Sequence, residues 1–180
     1  SNSERKAFVL VTAGPGLTNT ITALASAWVE SRELLVIGGQ VKSADLSNGA
    51  VRQRGIQEVD EIAATLPFTK SRLRITEPTE KDLVLTTIRA GASGRKGPVF
   101  LEITLDAQGA PALPEAAGTP IAELADPIQV SQIQVDQVSS LLKAATRPVI
   151  LIGSGVSRAG ANKLRSQLEH LGAPVMLTWN

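Results

Sequence analysis

Hydrophobic positions along this chain follow two alternating rhythms. Phe8 to Thr12 (FVLVT) is a continuous apolar run of strand length ending at a Gly-Pro-Gly turn, the pattern of a buried parallel strand. Leu17, Ile21, Leu24, Ala25 and Trp28 then recur at helical spacing, which places one apolar stripe on an amphipathic helix. Glu33 to Ile37 (ELLVI) follows as a second buried strand, so this stretch reads as a β-α-β unit, whose crossover is right-handed in nearly all proteins. The alternation continues through a polar loop around Lys42 to Arg54 and a helix carrying Ile56, Val59, Ile62, Ala63 and Leu66. A short strand near Leu73 to Ile75 comes next, then a helix from Pro78 to Ala92 closed by Gly91 and Gly94, then the strand PVFLEI at 98–103.

From Leu105 to Pro127 the periodicity fades into Ala, Pro and Gly, which places an interdomain linker at 109–130. A second unit spans 131–180, with helix Val135 to Ala145, strand PVILIGSG (148–155), helix Ala159 to Leu171 and strand PVMLTW (174–179). The expected fold class is α/β, with parallel sheets and flanking helices in both units. Two parallel strands with their helices leave sheet faces and edges unprotected, and the first unit opens on a buried strand. The pattern therefore predicts an interior piece of a longer protein.

Composition narrows the function. The chain has 180 residues, 43% of them hydrophobic, with 18 Lys and Arg against 17 Asp and Glu. Near-cancelling charge and 3% aromatic content argue against nucleic-acid or membrane-surface binding. The absence of cysteine removes disulfides and thiol chemistry, and a single histidine weakens any zinc site. No apolar run reaches the roughly 20 residues that span a bilayer, and the polar start carries no signal-peptide core, so a cytoplasmic location is expected.

Three segments carry candidate chemistry. AGPGLTN (13–19) puts glycines where the backbone turns sharply and a ligand can approach, with Asn19 offering both a donor and an acceptor. It lacks the lysine of a phosphate-binding P-loop, and an ordinary strand-to-helix turn explains it as well as an anion or heterocycle site does. VRQRGIQEVD (51–60) is a polar loop of the kind that binds ligands at strand ends; Gln57 and Glu58 are candidates there, although a helix start also explains Glu58. GSGVSRAG (153–160) follows a strand and opens a helix, but its spacing is GxGxxxxG and no acid ends the next strand, which disfavours a nicotinamide cofactor. His170 reads as a helix-terminal donor and Trp28 as core, whereas Trp179 fits either core or ligand.

Taken in order, VTAGPGLTNTITALASAWVES, LLVIGGQVK, GIQEVDEIAATLPFTK, SGRKGPVFLEITLD and RPVILIGSGVSRAGA resemble the acetolactate synthase (acetohydroxyacid synthase) large-subunit type of thiamin-diphosphate enzyme. The resemblance covers nearly the whole chain. It implies that residues 1–108 are the later part of a pyrimidine-binding domain and 131–180 the opening part of a Rossmann-like central domain. It further implies that Gly14, Pro15, Gly16 and Asn19 line the side of the site receiving the aminopyrimidine ring, a partner subunit of a homodimer or homotetramer supplying the other side. Gln57 would lie near the reacting substrate and is the candidate catalytic residue. Glu30 and Arg95 fall where flavin-containing members contact FAD, and Gly153, Gly155 and Thr178 would belong to the central domain's FAD surface.

The implied reaction is decarboxylation of a 2-oxo acid such as pyruvate and transfer of the two-carbon unit to an acceptor. The family's activating glutamate and its magnesium and diphosphate anchor fall outside these residues, so no metal ligand is assigned and the chain alone is expected to be inactive. Several positions depart from the family pattern: Thr104, Leu105 and Asp106 stand where Pro-Lys-Asp is common, Ile56 where Phe is common, Glu30 where Asp is usual and Arg158 where Asn is common. Other decarboxylases or acetyltransferases of the same scaffold, a non-catalytic fragment, and a nicotinamide oxidoreductase are the rival readings.

Overall fold

A computed structural model describes residues 8–114, 129–153 and 155–178. The chain divides into two compact units, 1–124 and 125–180.

In the first unit, β1 (Phe8–Val11), β2 (Leu34–Gln40), β3 (Ser71–Ile75) and β4 (Pro98–Thr104) form one parallel sheet in the order β1-β2-β4-β3. β4 is the strand most fully covered on both faces, whereas β1, expected from its apolar run to be buried, is an edge strand with one face exposed. Because side chains alternate along a strand, Val36, Gly38 and Gln40 of β2 share a face with Phe100, Glu102 and Thr104 of β4 and with Arg72 and Arg74 of β3. Three short helices cover that face: α1 (Pro15–Thr18), α2 (Ile21–Val29) and α3 (Glu61–Thr65). Leu17, Leu24, Val36 and Phe100 are fully buried there, with Val9, Val11, Ile21, Leu34, Ile62 and Phe68 packed around them. On the opposite face α4 (Lys81–Ala90) packs against β3 and β4, while Phe8 and Leu10 of β1 remain exposed.

Three elements differ from the sequence pattern for local reasons. The helix expected to run from Leu17 to Trp28 is two helices, because the Thr20 hydroxyl and amide both donate to the Leu17 carbonyl, each at 2.7 Å. The helix expected to carry Ile56 and Val59 begins only at Glu61. Gln57 sits at φ +60°, which no right-handed helix accepts, and Asp60 caps the helix by accepting from the Ala63 amide at 3.1 Å. Ile56 is consequently 87% exposed. The segment after Leu105 starts as a helix, α5 (Leu105–Gly109), tied back to the sheet by the Gln108 side chain donating to the Ile103 carbonyl. Residues 115–128, most of the expected linker, lie outside the described residues.

The second unit holds α6 (Gln132–Ala144), β5 (Ile150–Ile152), α7 (Arg158–His170) and β6 (Val175–Leu177), with β5 and β6 parallel. Ser131 and Gln134 form a reciprocal capping box at the start of α6, and Ser157 caps α7 by accepting from the Gly160 amide at 3.0 Å. Among the described residues no helix is long and apolar enough to cross a membrane.

Candidate cofactor-binding site

The Gly-Pro-Gly turn and the Gln57 loop, far apart in sequence, meet at the carboxyl ends of β1 and β2. Crevices at this end of parallel strands are where α/β proteins bind ligands. Gly14 adopts φ 62°, ψ −110°, a conformation a side chain resists, and a Cβ there would stand 2.0 Å from the carbonyl oxygen of Gln57. Pro15 opens α1, where its missing N–H costs nothing. Gly14 is buried, Gly16 half-buried, and Pro15, Asn19 and Gln57 exposed, so two primary amides flank a turn whose glycines make room for Gln57 and Thr12 to pack against it. Asn19 caps the end of α1 and does not start α2, whose cap is Thr20. The Gly14 N–H, first in line to meet an anion, is already donated to Glu61 Oε1 at 2.7 Å.

Glu58 builds the loop and points away from any ligand role. Its carboxylate accepts backbone N–H groups from Ser47 at 2.5 Å, Arg54 at 2.8 Å and Gly55 at 3.3 Å. Burial opposes the charge, but these bonds outweigh it and bring the carboxyl down to about 2. Held this way, residues 47–58 close on themselves and leave Gln57 in its left-handed conformation beside Gly14.

Beneath the turn lies a buried polar cluster. Glu102 on β4 is fully buried, with Arg74 on β3 donating to its Oε2 and Gln40 on β2 donating to its Oε1 at 3.1 Å. Arg74 also reaches Asp60 Oδ1 at 3.4 Å, and Gln40 donates to the Val59 carbonyl at 3.0 Å, tying the cluster to the start of α3. Glu61, also fully buried, hangs from α3 over Gly38, where a Cβ would come within 2.8 Å of its Oε2. Burial pushes the Glu61 carboxyl up to about 8; the Gly14 N–H and Arg74 pull it down, and the Glu102 charge pushes it further up. Glu61 is therefore mostly neutral at pH 7, and its Oε2 is buried without a hydrogen-bond partner.

The sequence pattern does not single out Glu61. An acid in the first turn of a helix usually marks a solvated, dipole-favoured position. The only signal is its spacing from Thr65, one turn later, which is equally buried.

The remaining candidates fall elsewhere. Glu30 ends α2 and pairs with Arg32 at 3.4 Å, while the Arg95 guanidinium donates to the Ser31 hydroxyl at 2.9 Å. The structure brings Glu30 and Arg95 to one corner, but at the amino ends of β2 and β4, away from the Gly14 turn. In the second unit Gly153 and Thr178 lie side by side, the Thr178 amide donating to the Ile152 carbonyl at 3.0 Å, and Gly155 is exposed just before α7. Asp106 accepts from both the hydroxyl and the amide of Ser43, which holds its carboxyl well below the usual range; Leu105 beside it is 56% exposed. Trp28 is 38% exposed and rests over Gly97, so it is only partly core. His170 Nδ1 lies 2.6 Å from the Ser166 carbonyl within its own helix. Trp179 lies outside the described residues. Among the described residues no group of three or more His, Asp or Glu is placed to hold a metal ion.

Residues 2–64 match the family described as thiamine pyrophosphate enzyme, N-terminal TPP binding domain, a span that includes the Gly14 turn, Gln57 and Glu61. The chain is 33% identical to an acetolactate synthase of Arthrospira platensis over 94% of its own length and 29% of that protein's. It is 31% identical to acetolactate synthase isozyme 1 large subunit of Escherichia coli over 97% of the chain and 30% of the relative. It is also 28% identical to an oxalyl-CoA decarboxylase of Escherichia coli over 97% of the chain and 31% of the relative. The chain thus spans less than a third of the length of each of these relatives.

Proposed function

Because the chain belongs to the thiamin-diphosphate-dependent enzyme family, with relatives of acetolactate synthase type, we propose that it forms one wall of a cofactor site in an enzyme that decarboxylates a 2-oxo acid. In this reading the enzyme acts on pyruvate and transfers the two-carbon unit to an acceptor. The observation that carries it is the meeting of the Gly14 turn with Gln57 at the carboxyl ends of the strands.

The donor set fits an aminopyrimidine. A ring edge that both donates and accepts suits the exposed amides of Asn19 and Gln57 and the backbone between Gly14 and Gly16. Bound thiamin diphosphate supplies the carbanion and the electron sink. The residues here bind and orient it: Gly14 to Gly16 let the ring approach, Asn19 meets its polar edge, and Gln57 faces the substrate. Magnesium and the diphosphate would be held outside these residues, the second half of the site by a partner subunit of a homo-oligomer. The 180 residues alone would not turn over.

FAD is a further part of the proposal, resting in the second unit on Gly153 beside Thr178 at the ends of β5 and β6. The oxalyl-CoA decarboxylase relative supports a second reading, cleavage of a thioester-linked oxo acid on the same scaffold. The test is expression of the full reading frame with thiamin diphosphate and magnesium, offered pyruvate or oxalyl-CoA. Carbon dioxide and acetolactate from pyruvate are expected. Carbon dioxide from oxalyl-CoA alone would select the second reading, and no turnover of either would reject the proposal.

A further inference from the structure

Glu61 joins the Gly14 turn to the buried polar cluster. Its Oε1 receives the Gly14 N–H at 2.7 Å, in a bond fully shielded from water. Gly14 is the residue whose unusual backbone sets the direction of the turn, and no other bond to its amide is made. On the other side, α3 is anchored by Asp60 to Arg74 and by Val59 to Gln40, both of which hold Glu102. A displacement of Glu61 therefore moves Gly14, and with it Pro15, Gly16 and Asn19.

We propose that Glu61 is a positioning residue for the cofactor site, holding the Gly14 peptide so that the turn presents its backbone to the aminopyrimidine ring. This rests on the thiamin-diphosphate reading above. The carboxyl does not reach the ligand; it acts through the Gly14 amide. Its protonation matters because the groups facing it are Glu102 on β4, Arg74 on β3 and Asp60 at the start of α3, and Arg74 is already engaged by both of the other acids. With no cation of its own, Glu61 holds the amide as a neutral acid, and ionisation above pH 8 forces a second buried negative charge beside Glu102.

The experiment compares wild type, Glu61→Gln and Glu61→Leu in the full-length enzyme, measuring thiamin diphosphate affinity by calorimetry from pH 6 to 9 with magnesium present. Glu61→Leu keeps the volume but removes the acceptor, and affinity should fall about tenfold or more. Glu61→Gln keeps a carbonyl for the Gly14 N–H and should restore affinity to within about threefold at pH 7. Wild-type affinity should weaken above pH 8, and that inflection should be missing in Glu61→Gln. Unchanged affinity in a folded Glu61→Leu, or failure of Glu61→Gln to rescue, overturns the proposal. If Glu61→Leu does not fold, the pH profiles decide: the same inflection in Glu61→Gln as in wild type overturns it. Absence of thiamin diphosphate binding by wild type would instead reject the cofactor reading, and the positioning role with it.

Discussion

Replacing Gly14 by alanine tests the geometry of the turn directly. Two costs apply, one from the backbone and one from space. At φ 62°, ψ −110° a side chain is strained by about 1–3 kcal/mol. The new Cβ would stand 2.0 Å from the Gln57 carbonyl oxygen, and backbone must move to admit it, which adds about 1–3 kcal/mol. Gln57 has little freedom to yield, since its own φ is +60° and the neighbouring Glu58 is bound by three backbone amides. The expected loss is about 2–6 kcal/mol, a large part of the roughly 5–15 kcal/mol that holds a typical domain together.

Gly94→Ala is the control, because Gly94 also has positive φ, +49°, but nothing lies within 4 Å of its Cβ position. It should cost only about 1 kcal/mol. Hydrogen exchange of the β2 amides reads the stability of the first unit whatever the rest of the protein does. A difference of less than about 1 kcal/mol between the two variants would refute the close packing of the turn on Gln57.

Further outcomes follow from the charged groups. Glu61 has its carboxyl raised from 4.5 to about 8, so the stabilisation from holding it neutral is full below pH 4.5 and is lost as pH rises towards 8. At most about 5 kcal/mol is involved, and Glu61→Gln should flatten this slope in pH-dependent urea denaturation; an unchanged slope would place the titration elsewhere. Glu58 has its carboxyl lowered to about 2, so its contribution is present above pH 4.5 and fades as pH falls towards 2. Glu58→Ala should open the loop at neutral pH, read as faster tryptic cleavage after Arg52 and Arg54, and equal cleavage rates would deny the loop its anchor. Glu102→Gln should remove the Glu102 repulsion while burial, the larger cause, remains, so the Glu61 titration should fall only part of the way from about 8 in carboxyl-carbon NMR; an unchanged titration would show that burial alone sets it.

The parallel strands β1, β2 and β4 were legible as short, mostly apolar runs, whereas β3 (SRLRI) alternates with arginines. PVFLEI became β4 almost residue for residue, with Phe100 at the centre of the core. The first helix of the second unit was legible from its apolar spacing, although it starts at Gln132, three residues before the expected Val135, under the unforeseen Ser131 cap; helices were illegible where tertiary bonds override periodicity. Ile56 and Val59 stand at helical spacing from Ile62, yet the loop bonds of Glu58 and the backbone of Gln57 keep them out of α3. The site was half legible for the same reason. AGPGLTN and Gln57 announce themselves as motifs, but their meeting depends on a carbonyl lying against a glycine, which no spacing rule encodes. Glu61 was hidden entirely, since only the sheet register shows that a strand glycine opens room for its carboxyl.

That register also explains why the anchor of the turn is an uncharged acid. Gly38, Glu102 and Arg74 stand opposite one another on β2, β4 and β3, forming one row across the sheet beneath α3. The missing side chain at Gly38 admits Glu61 into the row, so two fully buried carboxyls lie near one guanidinium, which itself stays 28% exposed. A lone buried charge is far costlier than a buried neutral acid, and a single arginine can neutralise only one of the pair. Arg74 bonds to Glu102, and burial together with the nearby Glu102 charge raises the Glu61 carboxyl to about 8, which favours its neutral form. A neutral carboxyl still accepts the Gly14 N–H through its carbonyl oxygen. The turn is thereby held by a shielded bond that adds little negative charge beneath it.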